Sequence, residues 1–157
     1  MALKDLDRAG WVRAGVNRPE SVAAHSWGVA LLTLILLPAA LDRGRALGYA
    51  ILHDLAEVRV GDITPLDGVP AADKAALESE AMTAFCKALP VEILKIWTAY
   101  EAQADPEAQF VRQLDRLDMA LQATVYERQG LSLEEFKESA AGAIEDEALK
   151  TLLASLR

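Results

Sequence analysis

The sequence has only one cysteine, Cys86, among its 157 residues. A single cysteine excludes a disulfide within the chain and is typical of a reducing compartment, so we expect a cytoplasmic protein in which Cys86 is a small buried hydrophobe. Basic residues are also few: 16 Lys and Arg stand against 24 Asp and Glu, for a formal charge of −8. This balance argues against a nucleic-acid polymer as the partner, because such a partner needs a broad basic surface.

Long apolar runs are missing as well. The most apolar stretch, Val29 to Leu41, is too short for a membrane span and contains Pro38, so we predict a buried helix and no membrane partner. The opening segment "MALKDLDRAG" has mixed charges and does not resemble a signal peptide. We expect a soluble protein with a single domain, residues 1–157, which is large enough for a real hydrophobic core.

Sustained alternation of β-branched residues, which would indicate strands, is absent too. The sequence therefore predicts an all-α fold, a helical bundle of about six to seven helices. The first helix is predicted from about Pro19 to Leu37, and the second is predicted to start after its cap at Asp42 and to stop before Gly61. Three further helices are predicted at about 72–89, at about 91–102 and from Pro106 to Gly130. A capping box of Ser132 and Glu135 predicts the start of the next helix, and a last helix is predicted in the tail at 144–157.

Residues of metal-ligand type interrupt these apolar helices. His53 and Asp54 stand together in "AILHDLAEV", His25 lies in "SVAAHSW", and Asp115 lies in "FVRQLDRLDMALQ". Buried without partners, such groups would be strongly destabilising, whereas one divalent cation would neutralise them. Two imidazoles and two carboxylates suit Mn, Co, Fe, Mg or Zn and favour none of them.

Glu57 follows His53 by one helical turn, about 40° away around the helix axis. It can therefore reach a water near the metal as a general base or acid, or it can only orient His53. Asp118, three residues beyond Asp115, is interpreted as part of a solvated helix face. Taken singly, His25 is also compatible with an ordinary core histidine, but three ligand-bearing helices together favour a metal site.

Four blocks of this sequence resemble the HD-domain metal-dependent phosphohydrolase superfamily, named for its His-Asp pair, and more narrowly its 5′-deoxynucleotidases. The blocks are "RAGWVRAGVNRPESVAAHSW", "AILHDLAEVRVGDITP", "KAALESEA" and "FVRQLDRLDMALQATVYE", and the resemblance covers most of the chain. It implies an HD-domain helical bundle, one divalent metal ion and a homodimer. The implied activity is hydrolysis of (deoxy)nucleoside 5′-monophosphates, small-molecule substrates, by attack of a metal-bound water.

The same resemblance assigns roles to individual residues. The implied metal ligands are His25, His53, Asp54 and Asp115, the implied catalytic residues are Glu57 and Asp62, and Trp11 matches an aromatic residue associated with nucleotide binding. The chain also departs from the family pattern. Ala24 stands before His25 where family members often have an acidic residue, which predicts that a carboxylate near this histidine is missing.

An acidic protein that binds phosphate needs local cations, and Arg13, Arg18 and Lys74 are the candidates. Trp27 and Trp97 are interpreted as core residues or as part of a subunit interface. Two other functions fit the same residues. One is an HD phosphohydrolase for a nucleoside triphosphate or a phosphodiester, and the other is a non-catalytic helical scaffold that keeps the metal only for structure.

Overall fold

The computed structural model describes residues 2–156, and the α-helices in that part of the chain form a bundle. They are α1 (Ala9–Arg13), α2 (Val22–Leu36), α3 (Arg43–Leu52), α4 (Glu57–Val60), α5 (Ala71–Phe85), α6 (Val91–Glu101), α7 (Pro106–Glu127), α8 (Glu134–Ala143) and α9 (Glu147–Ala154). Only α1 and α4 among these are shorter than eight residues. The predicted all-α fold is confirmed.

Side-chain caps determine where several helices begin. Ser21, Asp42 and Asp105 each accept a hydrogen bond from a backbone N–H in the first turn of α2, α3 and α7. The predicted caps at Asp42 and Asp105 are confirmed. The predicted start of α2 at Pro19 is wrong, because Ser21 is the cap and Pro19 lies in a non-helical segment before it.

The predicted helix from Asp42 to Gly61 is interrupted. After α3 the backbone forms tighter turns, in which the N–H of Leu55 donates to the carbonyl of Leu52 and that of Glu57 to the carbonyl of Asp54. α4 then ends at Val60, and Gly61 follows with a φ of +78°, which favours glycine. The continuous helix was therefore a wrong prediction, and the residues 53–56 form a tightened turn between α3 and α4.

The last two helices differ in how well the sequence predicts them. The capping box of Ser132 and Glu135 is absent: α8 begins after the buried Leu133, and no side-chain cap bond forms there. The tail helix is present as α9, and Asp146 caps it. Arg157, the last residue of the predicted tail helix, lies outside the described residues.

α7 holds the bundle together, since it packs against α2, α3, α6, α8 and α9. Its buried face includes Val111, Leu114 and Leu117, which are fully enclosed. Backbone hydrogen bonds join the segment before α1 to the start of α2, because the N–H of Arg8 donates to the carbonyl of Glu20. The N-terminal segment is thereby held beside the ligand-bearing helices.

One face of α2 is apolar but exposed. Trp27 is 68% exposed and Ile35 66% exposed, and Leu31 and Leu34 lie on the same face. Trp97, in contrast, is buried in a small cluster with Met82 and Cys86. Trp97 is therefore a core residue, whereas Trp27 is not. Among residues 2–156 no helix combines the length and apolar character that a membrane crossing requires.

Candidate metal centre and active site

Side chains from α2, α7 and the tightened turn meet around the Nε2 atom of His25. The Nε2 atom of His25 lies 3.3 Å from Nε2 of His53 and 3.1 Å from Oδ1 of Asp115. The Oδ2 atom of Asp54 lies 3.1 Å from Nε2 of His53 and 3.7 Å from Nε2 of His25. The structure therefore brings together the four predicted ligand residues, and both imidazoles are buried.

Hydrogen bonds on the far side of each ring determine where the imidazole hydrogens lie. The Nδ1 atom of His53 lies 2.9 Å from the carbonyl oxygen of Ala50, which can only accept, so this nitrogen carries the hydrogen. The Nδ1 atom of His25 likewise donates to the carboxylate of Asp118 at 2.8 Å. In the neutral rings both Nε2 atoms therefore direct lone pairs at the same point as the carboxylates.

This arrangement fits a divalent metal ion. Acceptor atoms gathered in this way around Nε2 of His25 repel unless a cation lies between them. Ligand atoms about 2.1 Å from one ion and at right angles lie about 3 Å apart. The observed 3.1 Å and 3.3 Å separations match that spacing, and imidazole with carboxylate is a donor set that divalent metals bind. The residues present thus fit the metal.

The ionisation of the cluster shows the same need for a cation. Burial and Arg8 act to lower the pKa of His25, but hydrogen bonds to Asp115 and Asp118 outweigh them and raise it. Burial acts to raise the pKa of Asp115, yet the hydrogen bond to His25 and its charge hold it well below its usual range. The carboxylates around His25 thus favour positive charge at this point, and a metal ion would supply it.

Asp118 is not part of a solvated helix face, and that interpretation of the sequence was wrong. Its side chain is 14% exposed and accepts the hydrogen bond from His25. Asp118 also places a carboxylate beside His25. The prediction from Ala24, that such a carboxylate is missing, is therefore wrong. The spacing contained the signal, because Asp115 and Asp118 are three residues apart and such residues share a helix face.

A cavity of about 440 Å³, a size suited to a small ligand, opens beside the cluster. The predicted site residues that line it are Trp11, Arg13, Asp54, Glu57, Asp62, Lys74 and Asp115. The two histidines lie buried behind the carboxylates. Arg18 lies elsewhere: it is exposed, just before α2, with a φ of +57°. The structure therefore groups the predicted site residues around one cavity, except for Arg18.

Glu57 is 4% exposed yet borders this cavity. Within residues 2–156 its Oε2 atom has no hydrogen-bond partner, and a buried unpaired oxygen of this kind indicates a place for a water or a ligand group. Burial, Asp54 and Asp62 raise the pKa of Glu57, whereas a divalent cation beside these carboxylates acts in the opposite direction. Glu57 is therefore positioned to exchange a proton with a group in the cavity.

Arg8 is a site residue that was not among the phosphate contacts predicted from the sequence, although it lies near Trp11, as Arg13 does. Its guanidinium lies 3.4 Å from Asp54 and 4.0 Å from Asp62, and it lines the cavity. Asp62 also accepts a hydrogen bond from the backbone N–H of Ala9 at 2.7 Å, which joins the segment after α4 to the start of α1. No local pattern marks Arg8, because its acidic partners are distant in the chain.

Trp11 borders the cavity but is otherwise part of the core. Its indole packs against the rings of Tyr126 and Phe136. Its Nε1 atom donates to Oε1 of Glu20 at 2.9 Å. Any contact with a bound molecule is therefore made by an indole that other side chains already hold in a single orientation.

Arg13 and Lys74 lie at the mouth of the cavity and hold the segment after α4. Arg13 donates to the hydroxyl of Thr64 at 2.6 Å and to Asp67 at 2.9 Å. Lys74 donates to the carbonyl oxygen of Ile63 at 3.1 Å. Both cations already have protein partners, so they can meet an anionic ligand only by sharing or exchanging these contacts.

Comparison with known proteins gives matches over nearly the whole chain. The HD-domain family model matches residues 1–155. The human (Homo sapiens) 5′-deoxynucleotidase HDDC2 is 37% identical over 161 residues, which cover 98% of this chain and 79% of that protein. The solved PH0347 protein from Pyrococcus horikoshii OT3 is 38% identical with a TM-score of 0.82, covering 99% of this chain and 92% of its own. A predicted metal-dependent phosphohydrolase from Magnetospirillum magnetotacticum MS-1 is 25% identical with a TM-score of 0.74, covering 98% and 85%.

Proposed function

The chain belongs to the HD-domain family, and we propose that it is a phosphohydrolase that removes phosphate from deoxyribonucleoside 5′-monophosphates. The observation that carries this proposal is the cluster of acceptor atoms beside a cavity that also contains Glu57 and Arg8. The substrate class is that of relatives such as the human protein, which is named a 5′-deoxynucleotidase. A phosphate monoester suits such a cavity because its negative charge complements a bound cation.

We place one divalent ion in the cluster. The proposed ligands are His25, His53, Asp54 and Asp115, and Mn, Co, Fe, Mg and Zn are all compatible with them. When bound, the ion supplies positive charge to the phosphate and lowers the pKa of a water. Glu20, His25 and Asp118 also lie close enough to share an ion, but Nδ1 of His25 already donates to Asp118. We therefore propose one ion and not two.

Glu57 is the proposed general base. It takes a proton from the attacking water, the water oxygen bonds to phosphorus, and the bond from phosphorus to the 5′-oxygen breaks. The leaving 5′-oxygen takes a proton from solvent as the bond breaks, and Glu57 releases the proton it accepted to solvent. Asp62 borders the same cavity, and its proposed catalytic role is to orient the sugar and the attacking water.

The cations around the cavity are the proposed phosphate contacts. Arg8 lies nearest the cluster, and its planar guanidinium can bind two phosphate oxygens at once. Arg13 and Lys74 border the mouth of the cavity and add positive charge there. Trp11 is proposed to contact the sugar or the base. Arg18 lies outside the cavity, so the proposal includes Arg8 in its place.

Phosphate release from every deoxy- and ribonucleoside 5′-monophosphate is the direct test. We expect release from the deoxy series with Mn²⁺ or Co²⁺, and none with a chelator, because the carboxylates need the ion to accept an anionic substrate. A deoxynucleoside triphosphate and a phosphodiester belong in the same assay. If only the triphosphate or the phosphodiester were hydrolysed, that compound would replace the monophosphates as the proposed substrate. Metal binding without hydrolysis of any ester would favour the non-catalytic scaffold.

A homodimer joined through α2 is also proposed. The exposed face formed by Trp27, Leu31, Leu34 and Ile35 has no charged side chain. Two chains that each carry a net charge of −8 repel, so an uncharged apolar face is where two copies can approach most closely. A second copy is the proposed occupant because the same face on both chains forms a self-complementary contact.

Changing this face to an acidic one should separate the chains. We expect the mass measured by light scattering to fall from that of a dimer to that of a monomer in Trp27→Glu and Ile35→Glu, because each places a charge in the contact. Leu77→Glu is the matched control, since Leu77 is an exposed apolar residue on α5. A monomeric wild-type protein, or dimeric Trp27→Glu, would contradict the proposal.

A further inference from the structure

We infer that Asp118 is a positioning residue for the metal site and that Gly28 provides the space that Asp118 needs. The inference rests on the proposed function, because it concerns how the proposed ligand His25 is held. Neither residue reaches the metal position itself. Asp118 acts through the far nitrogen of the His25 ring, and Gly28 acts through Asp118.

The contact between Asp118 and His25 fixes both the tilt of the ring and the location of its hydrogen. Oδ2 of Asp118 lies 2.8 Å from Nδ1 of His25, whose imidazole is fully buried. With the hydrogen on Nδ1, the opposite nitrogen keeps its lone pair directed at Asp115 and His53. A carboxylate in this position also makes the ring a stronger ligand.

Gly28 lies one turn beyond His25 on the face of α2 that meets α7. A Cβ atom at Gly28 would lie 3.0 Å from Cγ of Asp118 and 2.3 Å from its Oδ1, and the second distance is closer than non-bonded atoms approach. Glycine weakens a helix interior, so its presence here needs a reason, and the reason is the carboxylate that occupies this space. Alanine at this position would force Asp118 away from His25.

Glu20 does not provide the same support, although it lies near the same ring. Its Oε1 atom accepts from Nε1 of Trp11 at 2.9 Å, which directs that carboxylate to α1. Asp118 is therefore the acceptor that holds Nδ1 of His25 among the described residues. Its removal leaves the ring free to rotate or to move its hydrogen to the nitrogen that faces the metal.

The test is a cycle of three variants, Asp118→Ala, Gly28→Ala and the double variant, with Co²⁺ as the probe. We expect each single variant to bind Co²⁺ about 10–100-fold more weakly than wild type, because loss of such a supporting hydrogen bond has effects of that size. In the Asp118→Ala background, Gly28→Ala should add no further loss, since the carboxylate that a Cβ displaces is already gone. The Co²⁺ absorption spectrum should change in both single variants, which reports ligand geometry directly.

Two further variants separate positioning from general damage to the fold. Gly142→Ala is the matched control, because Gly142 also lies in a helix and a Cβ there would contact nothing within 4 Å, so Co²⁺ affinity should not change. Asp118→Asn keeps an oxygen that can accept from Nδ1 and should recover part of the affinity. Circular dichroism of each metal-free variant checks that the helices form.

The outcomes distinguish this inference from the proposed function. Wild-type affinity in Asp118→Ala would overturn the inference while leaving the metal site intact. Losses that simply add in the double variant would show that Gly28 acts independently of Asp118, and would overturn its proposed role. A wild-type protein that binds no divalent ion would overturn the proposed metal centre itself.

Discussion

Glu57→Gln should lower kcat for deoxynucleoside monophosphate hydrolysis by about 10²–10⁴-fold while Mn²⁺ affinity stays close to wild type. The amide has the shape of the carboxyl group but cannot accept a proton from water. Glu57 is buried against the cavity and has an oxygen with no partner among residues 2–156, which is why we assign the proton transfer to it and only an orienting role to Asp62. Steady-state kinetics together with a metal titration measure the two effects separately.

Glu78→Gln is the matched control for this result. Glu78 is a partly buried glutamate that pairs with Lys74 across 3.5 Å but does not border the cavity. Its substitution should leave kcat nearly unchanged, because it does not touch the reacting atoms. Equal losses in both variants would indicate a general effect on the fold. Full activity in Glu57→Gln would remove the general-base assignment and leave Glu57 as a residue that only orients its neighbours.

Asp115→Asn should abolish metal-dependent stabilisation and, with it, phosphate release. At a metal concentration about 1,000 times Kd, binding to the folded state alone adds about 4 kcal/mol to the free energy of unfolding. For a chain of this size that corresponds to a rise in melting temperature of roughly 8–16 °C. The amide lacks the charge that balances a divalent ion, so the variant should melt at the same temperature with and without metal.

Asp73→Asn provides the corresponding control, because Asp73 is exposed in the first turn of α5, outside the cavity. It should keep both the full metal-induced shift and the activity. Differential scanning calorimetry on metal-free and metal-loaded samples gives the shift, and the same samples can be assayed for phosphate release. A wild-type shift in Asp115→Asn would contradict its assignment as a ligand.

The sequence was sufficient to predict the all-α fold and to single out four side chains that the fold brings together, namely His25, His53, Asp54 and Asp115. Helical periodicity is a local property, so ligand-type residues inside apolar segments stand out without knowledge of the packing. His25 and Asp115 are examples, since each occupies a position that the surrounding alanines and leucines assign to the core. Their convergence follows because buried faces of neighbouring helices meet in one interior.

Features that depend on tertiary contacts were beyond the same reasoning. Arg8 is in a short irregular segment, and only the folded chain brings it to Asp54. The tightened turn between α3 and α4 has no Pro or Gly to mark it, so periodicity predicted one continuous helix. Gly28 is informative only when its neighbour on α7 is known, because the reason for the glycine is the side chain opposite it.

The two-sided character of α2 has a consequence for biosynthesis. One face of α2 becomes buried only when α7 packs against it, and the other face stays apolar and exposed in the folded chain. At about 5–20 residues per second, the ribosome needs about 4–14 s to make the segment between Leu36 and Pro106. During that interval α2 exposes apolar surface without charged side chains, and α3 covers only part of it. α2 is thus an apolar helix that the nascent chain must keep from other chains until α7 has been made.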